Sequence, residues 1–206
     1  MATELDVINE MLGTMGEAPL NQLDEDHPFV AAGRRFLDTA NRRLQAKGWW
    51  FNKELLKFVP DASSSFVYIP SDIMSVRESD VRRCRFRYIQ RGDRLYDLSN
   101  STFEITENPV YLDVVRLIPF DELDHLAQNA VALQAVLRFQ LHYDADPQKT
   151  ENLKQEFADA WITLNAEHTR QVKANFIHNT SVGGKLALVS PMGGRSRLPY
   201  PGIGVR

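Results

Sequence analysis

The most concentrated cationic run in the chain is RRCRFRYIQRGDR, where Arg82, Arg83, Arg85, Arg87, Arg91 and Arg94 stand against a single carboxylate, Asp93. Laid out as a strand, this run puts Arg83, Arg85 and Arg87 on one face and Cys84, Phe86 and Tyr88 on the other. Three guanidinium groups on one face can touch phosphates, or pair with carboxylates of a neighbouring subunit, or simply stand in solvent. The residue types alone leave all three readings open. The Arg91-Gly92-Asp93 triplet matches a cell-adhesion tripeptide, but a tight turn between two alternating stretches accounts for it.

The other reactive side chains point to structure more than to catalysis. The carboxylate groups Asp24, Glu25, Asp26 and Asp121, Glu122, Asp124 have the types that glycan hydrolysis needs as an acid and base pair. Both groups lie where helices start, and negative charge is stabilising there on its own account. The five histidines (His27, His125, His142, His168 and His178) sit singly in different segments, without metal-ligand spacing. Cys84 lies between arginines with no histidine near it in sequence, and a thiol nucleophile needs a base as well as a lowered pKa. Neither a phosphate-cradling glycine loop nor a GxSxG elbow occurs. No catalytic residue, cofactor or metal is expected.

The chain has 206 residues, 43% hydrophobic and 25% charged, which fits one core or one core with a substantial insertion. A single cysteine excludes an internal disulfide and a cysteine-rich zinc cluster. No apolar run approaches the roughly 18 residues that span a bilayer, and the opening MATELDVINE is acidic where a signal peptide is basic. Neither secretion by signal peptide nor membrane insertion is expected. The net charge of −3 hides a polarity: residues 1–30 carry seven carboxylates and no lysine or arginine, whereas residues 168–206 carry six basic side chains and no carboxylate. Such ends suit an acidic partner, or subunits that meet through complementary surfaces, or solubility alone.

The elements that must position these groups follow from periodicity. Thr3 caps a first helix with the stripe Leu5, Ile8, Leu12 and Met15, and Gly16 ends it. Asp26 or His27 caps a longer helix that begins at Pro28 and stops at Gly48. Val30, Phe36 or Leu37, Ala40, Leu44 and Lys47 make its stripe, and Arg34, Arg35, Asp38, Arg42 and Arg43 its wet face. Trp49, Trp50 and Phe51 then form an aromatic hinge into strand-like alternation at Leu56–Phe58, Phe66–Tyr68 and SDIMSV, and into a hairpin turning about Gly92. A strand from Val110 to Ile118 closes the sheet. Two helices follow, about 121–143 with the face Leu126, Ala130, Leu133, Leu137 and Leu141, and 147–177 with the stripe Leu153, Phe157, Trp161, Leu164 and Val172. Their short link makes them antiparallel neighbours. Residues 178–206, with six glycines and three prolines, cannot build a core of their own. The fold class is α+β: an antiparallel helical bundle with an inserted antiparallel β-sheet domain. Its parts are 1–50 and 120–177 for the helices, 51–119 for the sheet, and 178–206 for a tail docking on a partner.

The helix ending in QAKGWWFN and continuing into LKFVPD, the YIPSDIMSV stretch and the RYIQRGDRLYDL hairpin together resemble the tail tubular A adaptors of short-tailed phages. The resemblance covers roughly residues 3–177. It implies a fold like that of the head-to-tail connectors and a structural, non-catalytic role without cofactor. The implied protein is a virion tail component assembled in the host cytoplasm. The resemblance further implies a ring of twelve copies between the portal protein and the tail nozzle protein, tail tubular protein B, around the channel through which DNA leaves. On that reading Lys185, Met192, Arg195, Arg197, Tyr200 and Arg206 of the tail meet the portal, and Arg83, Arg85 and Arg87 touch DNA or the next subunit. A nucleic-acid-binding module and a glycan-degrading tail component are the rivals from other classes.

Overall fold

A computed structural model describes residues 2–23, 27–78 and 87–177, the last five of these for the backbone alone. The chain divides into two units, Met1–Asn165 and Ala166–Arg206. The first unit is α+β. In chain order it contains helices α1 (Glu4–Met15) and α2 (Pro28–Gln45), then strands β1 (Lys53–Phe58), β2 (Ile73–Glu78), β3 (Tyr88–Arg91), β4 (Arg94–Asp97) and β5 (Val110–Arg116). A short 3-10 turn, Phe120–Glu122, leads into α3 (His125–Tyr143), and α4 (Pro147–Ile177) continues across the unit boundary. In the second unit, Glu167 pairs with Arg170 at 3.1 Å and accepts a bond from Gln171 at 2.8 Å.

The helix ends form for the reasons their residues suggest. Thr3 and Asp6 make a reciprocal capping box, and Gly16 closes α1 at φ +80°. His27 caps α2, its Nδ1 accepting from the Phe29 amide at 3.3 Å, and Pro28 fills the first position. α2 stops at Gln45, short of the expected Gly48. The glycine, at φ +74°, instead shapes the turn into the sheet, where a Cβ would lie 3.0 Å from Val115 Cγ2 and 2.7 Å from Lys53 Cε.

α1, α2 and α3 share one core, built on Val7, Met11, Leu37, Leu44, Trp49 and Phe139, with Leu164 of α4 added to it. Three expectations about these helices shift. α1 buries Val7 and Met11 with Ile8 and Leu12, because it packs on α2 and α3 together and needs a wider stripe than one neighbour would. Lys47 lies beyond the end of α2 and is exposed, its ammonium 4.3 Å from the Trp49 ring centroid. α3 turns its alanines and valines inward, with Phe139: Ala127, Ala130, Val131, Ala135, Val136 and Phe139 are buried, while Leu126, Leu133 and Leu137 are half-buried and Leu141 is exposed. Alanine on the inner face lets the helices approach closely, and this displaces the leucines outward. In α4, Leu164 is buried, Leu153, Phe157 and Trp161 are half-buried, and Val172 is exposed.

The strands form two small sheets, β1-β5-β2 and β3-β4, both antiparallel. Strand β5, expected to close a sheet, lies in its centre. Its alternation Val110, Leu112, Val114 inward and Tyr111, Asp113 outward is that of a strand with one buried face. The expected strand at Phe66–Tyr68 is reduced to a bridge, with Val67 accepting from Leu95 N at 3.0 Å and Ile69 donating to Asp93 O at 2.7 Å. Leu112, Val114, Ile73, Tyr88, Leu95 and Ile105 fill a second core between the sheets.

Helices and strands meet at a neck where the chain leaves α2 and comes back after β5. Here Asn52 and Arg116 bond backbone to backbone at 2.9 Å. Three buried amide side chains stitch the two passages together. Gln45 accepts from Ile118 N at 2.8 Å and donates to Ile118 O at 2.7 Å. Asn41 also donates to Ile118 O, at 3.0 Å. Asn52 accepts from Trp49 N at 2.7 Å and donates to Arg116 O at 2.9 Å and Gln45 O at 3.1 Å. Irregular backbone crosses a partly buried junction here, and side-chain amides supply partners for its polar groups.

Candidate functional site

The hairpin β3–β4 turns at Gly92, φ +65°, as its sequence requires. Its arginines do not stand free in solvent. Arg87, with a side chain 23% exposed, bonds Asp97 through Nε at 3.0 Å and reaches Glu107 at 3.5 Å. Asp97 is 1% exposed and also accepts from the Ser99 and Asn100 amides at 2.8 and 3.2 Å. Burial opposes its charge, but the Asn100 and Ser99 amides and the Arg87 guanidinium outweigh it and hold its pKa below the ordinary carboxylate range. Tyr88 donates to Glu107 at 3.0 Å, and burial together with that bond raises the phenol pKa. Arg91 stacks 3.6 Å from the Tyr96 centroid, and Arg94 lies 4.5 Å from Phe103 and 5.2 Å from Phe66. These cations therefore brace the hairpin. Arg83 and Arg85 lie outside the described residues, as do Cys84 and all six predicted tail residues from Lys185 to Arg206.

The lowered pKa of Asp97 fixes the sign of a pH effect. A carboxylate with a folded pKa below its unfolded value stabilises the fold above the unfolded value, near 4, and loses that contribution as pH falls through the folded pKa. Asp97→Asn is expected to weaken the protein at neutral pH and to flatten the acid limb of stability against pH. Urea midpoints from pH 7 to pH 3 check this; parallel curves for variant and wild type would refute it.

A cationic surface that residue order did not reveal lies on the outer side of the three-stranded sheet. In β1, Lys53, Leu55 and Lys57 alternate outward. The antiparallel register sets Lys57 opposite Tyr111, and both Leu55 and Arg77 opposite Asp113. Leu55 is 59% and Tyr111 51% exposed. The face thus combines three cations, one carboxylate and two large exposed apolar side chains, beside a groove of about 320 Å³ that reaches back to Lys47. An exposed aromatic and an aliphatic residue inside a charged rim is the make-up of a protein-binding patch. The local signal was the alternation in KELLKF; Arg77 and Tyr111 join it only through strand pairing.

The family described as "Tail tubular protein" (Tube) matches residues 5–174. The chain belongs to the tail tubular protein family. It is 26% identical over 167 residues to "Tail tubular protein A" of Klebsiella phage KP34, covering 81% of this chain and 87% of that protein. A tail tubular protein is a structural component of the phage virion, sited in the tail and assembled with other tail proteins; it is not an enzyme. Of the other reactive groups, Asp24, Glu25, Asp26 and His178 lie outside the described residues, while Asp124 and His142 sit in structural settings. Asp124 caps α3, accepting from Leu126 N at 3.1 Å, and His142 packs against Phe36 and Tyr143. Among the described residues no three His, Cys, Asp or Glu side chains gather as metal ligands, and no helix is long and apolar enough to cross a membrane. The family match ends before the tail begins.

Proposed function

We propose that this tail tubular protein is the adaptor that joins the portal to the nozzle. Twelve copies form a ring whose bore passes the DNA during ejection. The observation that carries this reading is the span of the family match, residues 5–174, which takes in the helical core and the sheet core together. The tail tubular protein A of phage KP34, similar over most of both chains, supports it. An adaptor needs distinct surfaces for unlike neighbours. In this reading the helices 1–50 and 120–177 form a bundle of connector type and 51–119 an inserted sheet domain. The lysine, leucine and tyrosine face of that sheet meets the nozzle, and the basic tail 178–206, through Lys185, Met192, Arg195, Arg197, Tyr200 and Arg206, meets the portal. Passing DNA touches the ring only transiently.

The test is the native mass of the chain mixed with the portal ring of the same phage at moderate salt, for the full chain and for a chain ending at 177. The expected result is a ring added to the portal by the full chain, and loss of that association on truncation with unchanged circular dichroism. Undiminished binding by the truncated chain sinks the role of the tail. No association by the full chain sinks the adaptor reading.

A further inference from the structure

Two faces of the helices carry opposite charge and lack partners among the described residues. One is a cleft of about 550 Å³ between α1, α3 and α4, lined by Glu10, Leu126, Leu133, Glu156, Asp159 and Thr163. Its floor is the outward leucine face of α3, and its rim bears three carboxylates. Glu10 and Glu156 repel each other across it. Loss of hydration and, after it, the charge of Glu156 push the Glu10 carboxyl above the usual range. One turn beyond Asp159, Ile162 stands 65% exposed. The other face is the outer side of α2, which bears exposed Arg35, Arg42 and Arg43. Arg42 is tied to Asp38 at 3.0 Å, while Arg35 and Arg43 make no ion pair among the described residues. Since α1 and α3 pack on the inner side of α2 through Val30, Leu37, Ala40 and Leu44, this arginine ridge points away from the cleft.

We propose that the cleft of one copy receives the Arg35–Arg43 ridge of the next, and that this contact closes the ring laterally. The inference rests on the ring reading above and names the surfaces that build it. A head-to-tail contact needs two different, complementary patches on separate faces of one subunit, and a closed ring repeats it between every pair. A rotation about the ring axis carries the helical layer of one copy onto the helical layer of the next. With the sheet domain turned toward the nozzle, as proposed above, the mating patches both lie on helices, which leaves the cationic sheet face to a different neighbour. The arginines relieve the repulsion between Glu10 and Glu156, and the ridge covers the half-buried leucines.

The test uses two double variants of the full chain, Glu156→Arg with Asp159→Arg, and Arg35→Glu with Arg43→Glu, each checked for an unchanged melting transition. All four side chains are exposed, so folding is expected to survive. Native mass is measured with and without the portal ring. Each variant alone is expected to lose the ring, because like charges then face each other at every contact. Mixed in equal amounts, the two are expected to form rings of alternating copies, since every cleft then meets a ridge of opposite sign. Rings from either variant alone, or no rings from the mixture, overturn the assignment while leaving the adaptor reading intact if wild type still forms them. A wild-type chain that forms no ring under either condition overturns both.

Discussion

Asn52→Leu is expected to lower the unfolding free energy by about 3–5 kcal/mol, although leucine has the same number of side-chain heavy atoms and the same branching at Cγ. Asn52 is fully buried, and its amide serves three backbone groups: Trp49 N–H, Arg116 C=O and Gln45 C=O, of which Gln45 C=O keeps another partner, the Gly48 amide at 2.9 Å. A buried backbone group left without a partner costs about 1–3 kcal/mol, and the losses fall at one point. Gln45→Leu should follow the same course with a smaller loss, because Ile118 O keeps the Asn41 bond. Urea titration gives the number. The m value should stay near wild type if the fold is weakened but not rearranged. A loss below about 1 kcal/mol for Asn52→Leu would mean that these backbone groups find other partners, and that the amide cluster does not hold the neck.

Trp49→Ala is expected to cost about 3–5 kcal/mol for a different reason, the volume it leaves empty. The indole is fully buried in the helical core, donates to Leu44 O at 2.6 Å, lies parallel to Phe51 at 6.4 Å and meets Trp161 edge-on at 5.3 Å. Trp49→Phe keeps the aromatic contact but abandons the Leu44 carbonyl, so its loss should be roughly half as large. Denaturation followed by far-UV circular dichroism separates the two variants without relying on the fluorescence they alter. Equal losses for alanine and phenylalanine would place the whole effect in the hydrogen bond and none in the packing.

What could be read from the sequence depended on how local the cause was. The cap at Thr3, the stop at Gly16, the proline start of α2 and the turn at Gly92 each depend on a few adjacent residues, and they stand where expected. Features that depend on a neighbour brought from afar could not be read. The leucines of α3 make a regular helical stripe, yet the alanines one position over face the core, because the approach of α2 sets the rotation of the helix. Arg87 alternates with Arg83 and Arg85 as a solvent-facing residue should, yet Asp97 and Glu107, 10 and 20 residues on, draw it in. The outward face shared by Lys53, Lys57, Arg77 and Tyr111 exists only because β5 runs between β1 and β2. The family resemblance was readable because short local strings carry it. The surfaces by which copies would meet were not, since they join residues from helices far apart in the chain.

The neck also constrains the order in which the molecule can assemble itself. Its two passages are 64 residues apart at the Asn52–Arg116 contact, and α2 and α3, on either side, must still find each other to complete their shared core. Closing so long a stretch of loose chain costs entropy before any helix contact repays it. β5 pairs with β1, which starts just after the neck, in one continuous antiparallel register from Lys53–Val115 to Phe58–Val110. Once those strands zip, the ends of the loop are already together and the remaining search for α3 is short. The slow step of folding is therefore expected in the β1–β5 pairing, with the larger helical core following the smaller one. In stopped-flow refolding, substitutions in β1 and β5 should slow folding more than substitutions of equal cost in α3.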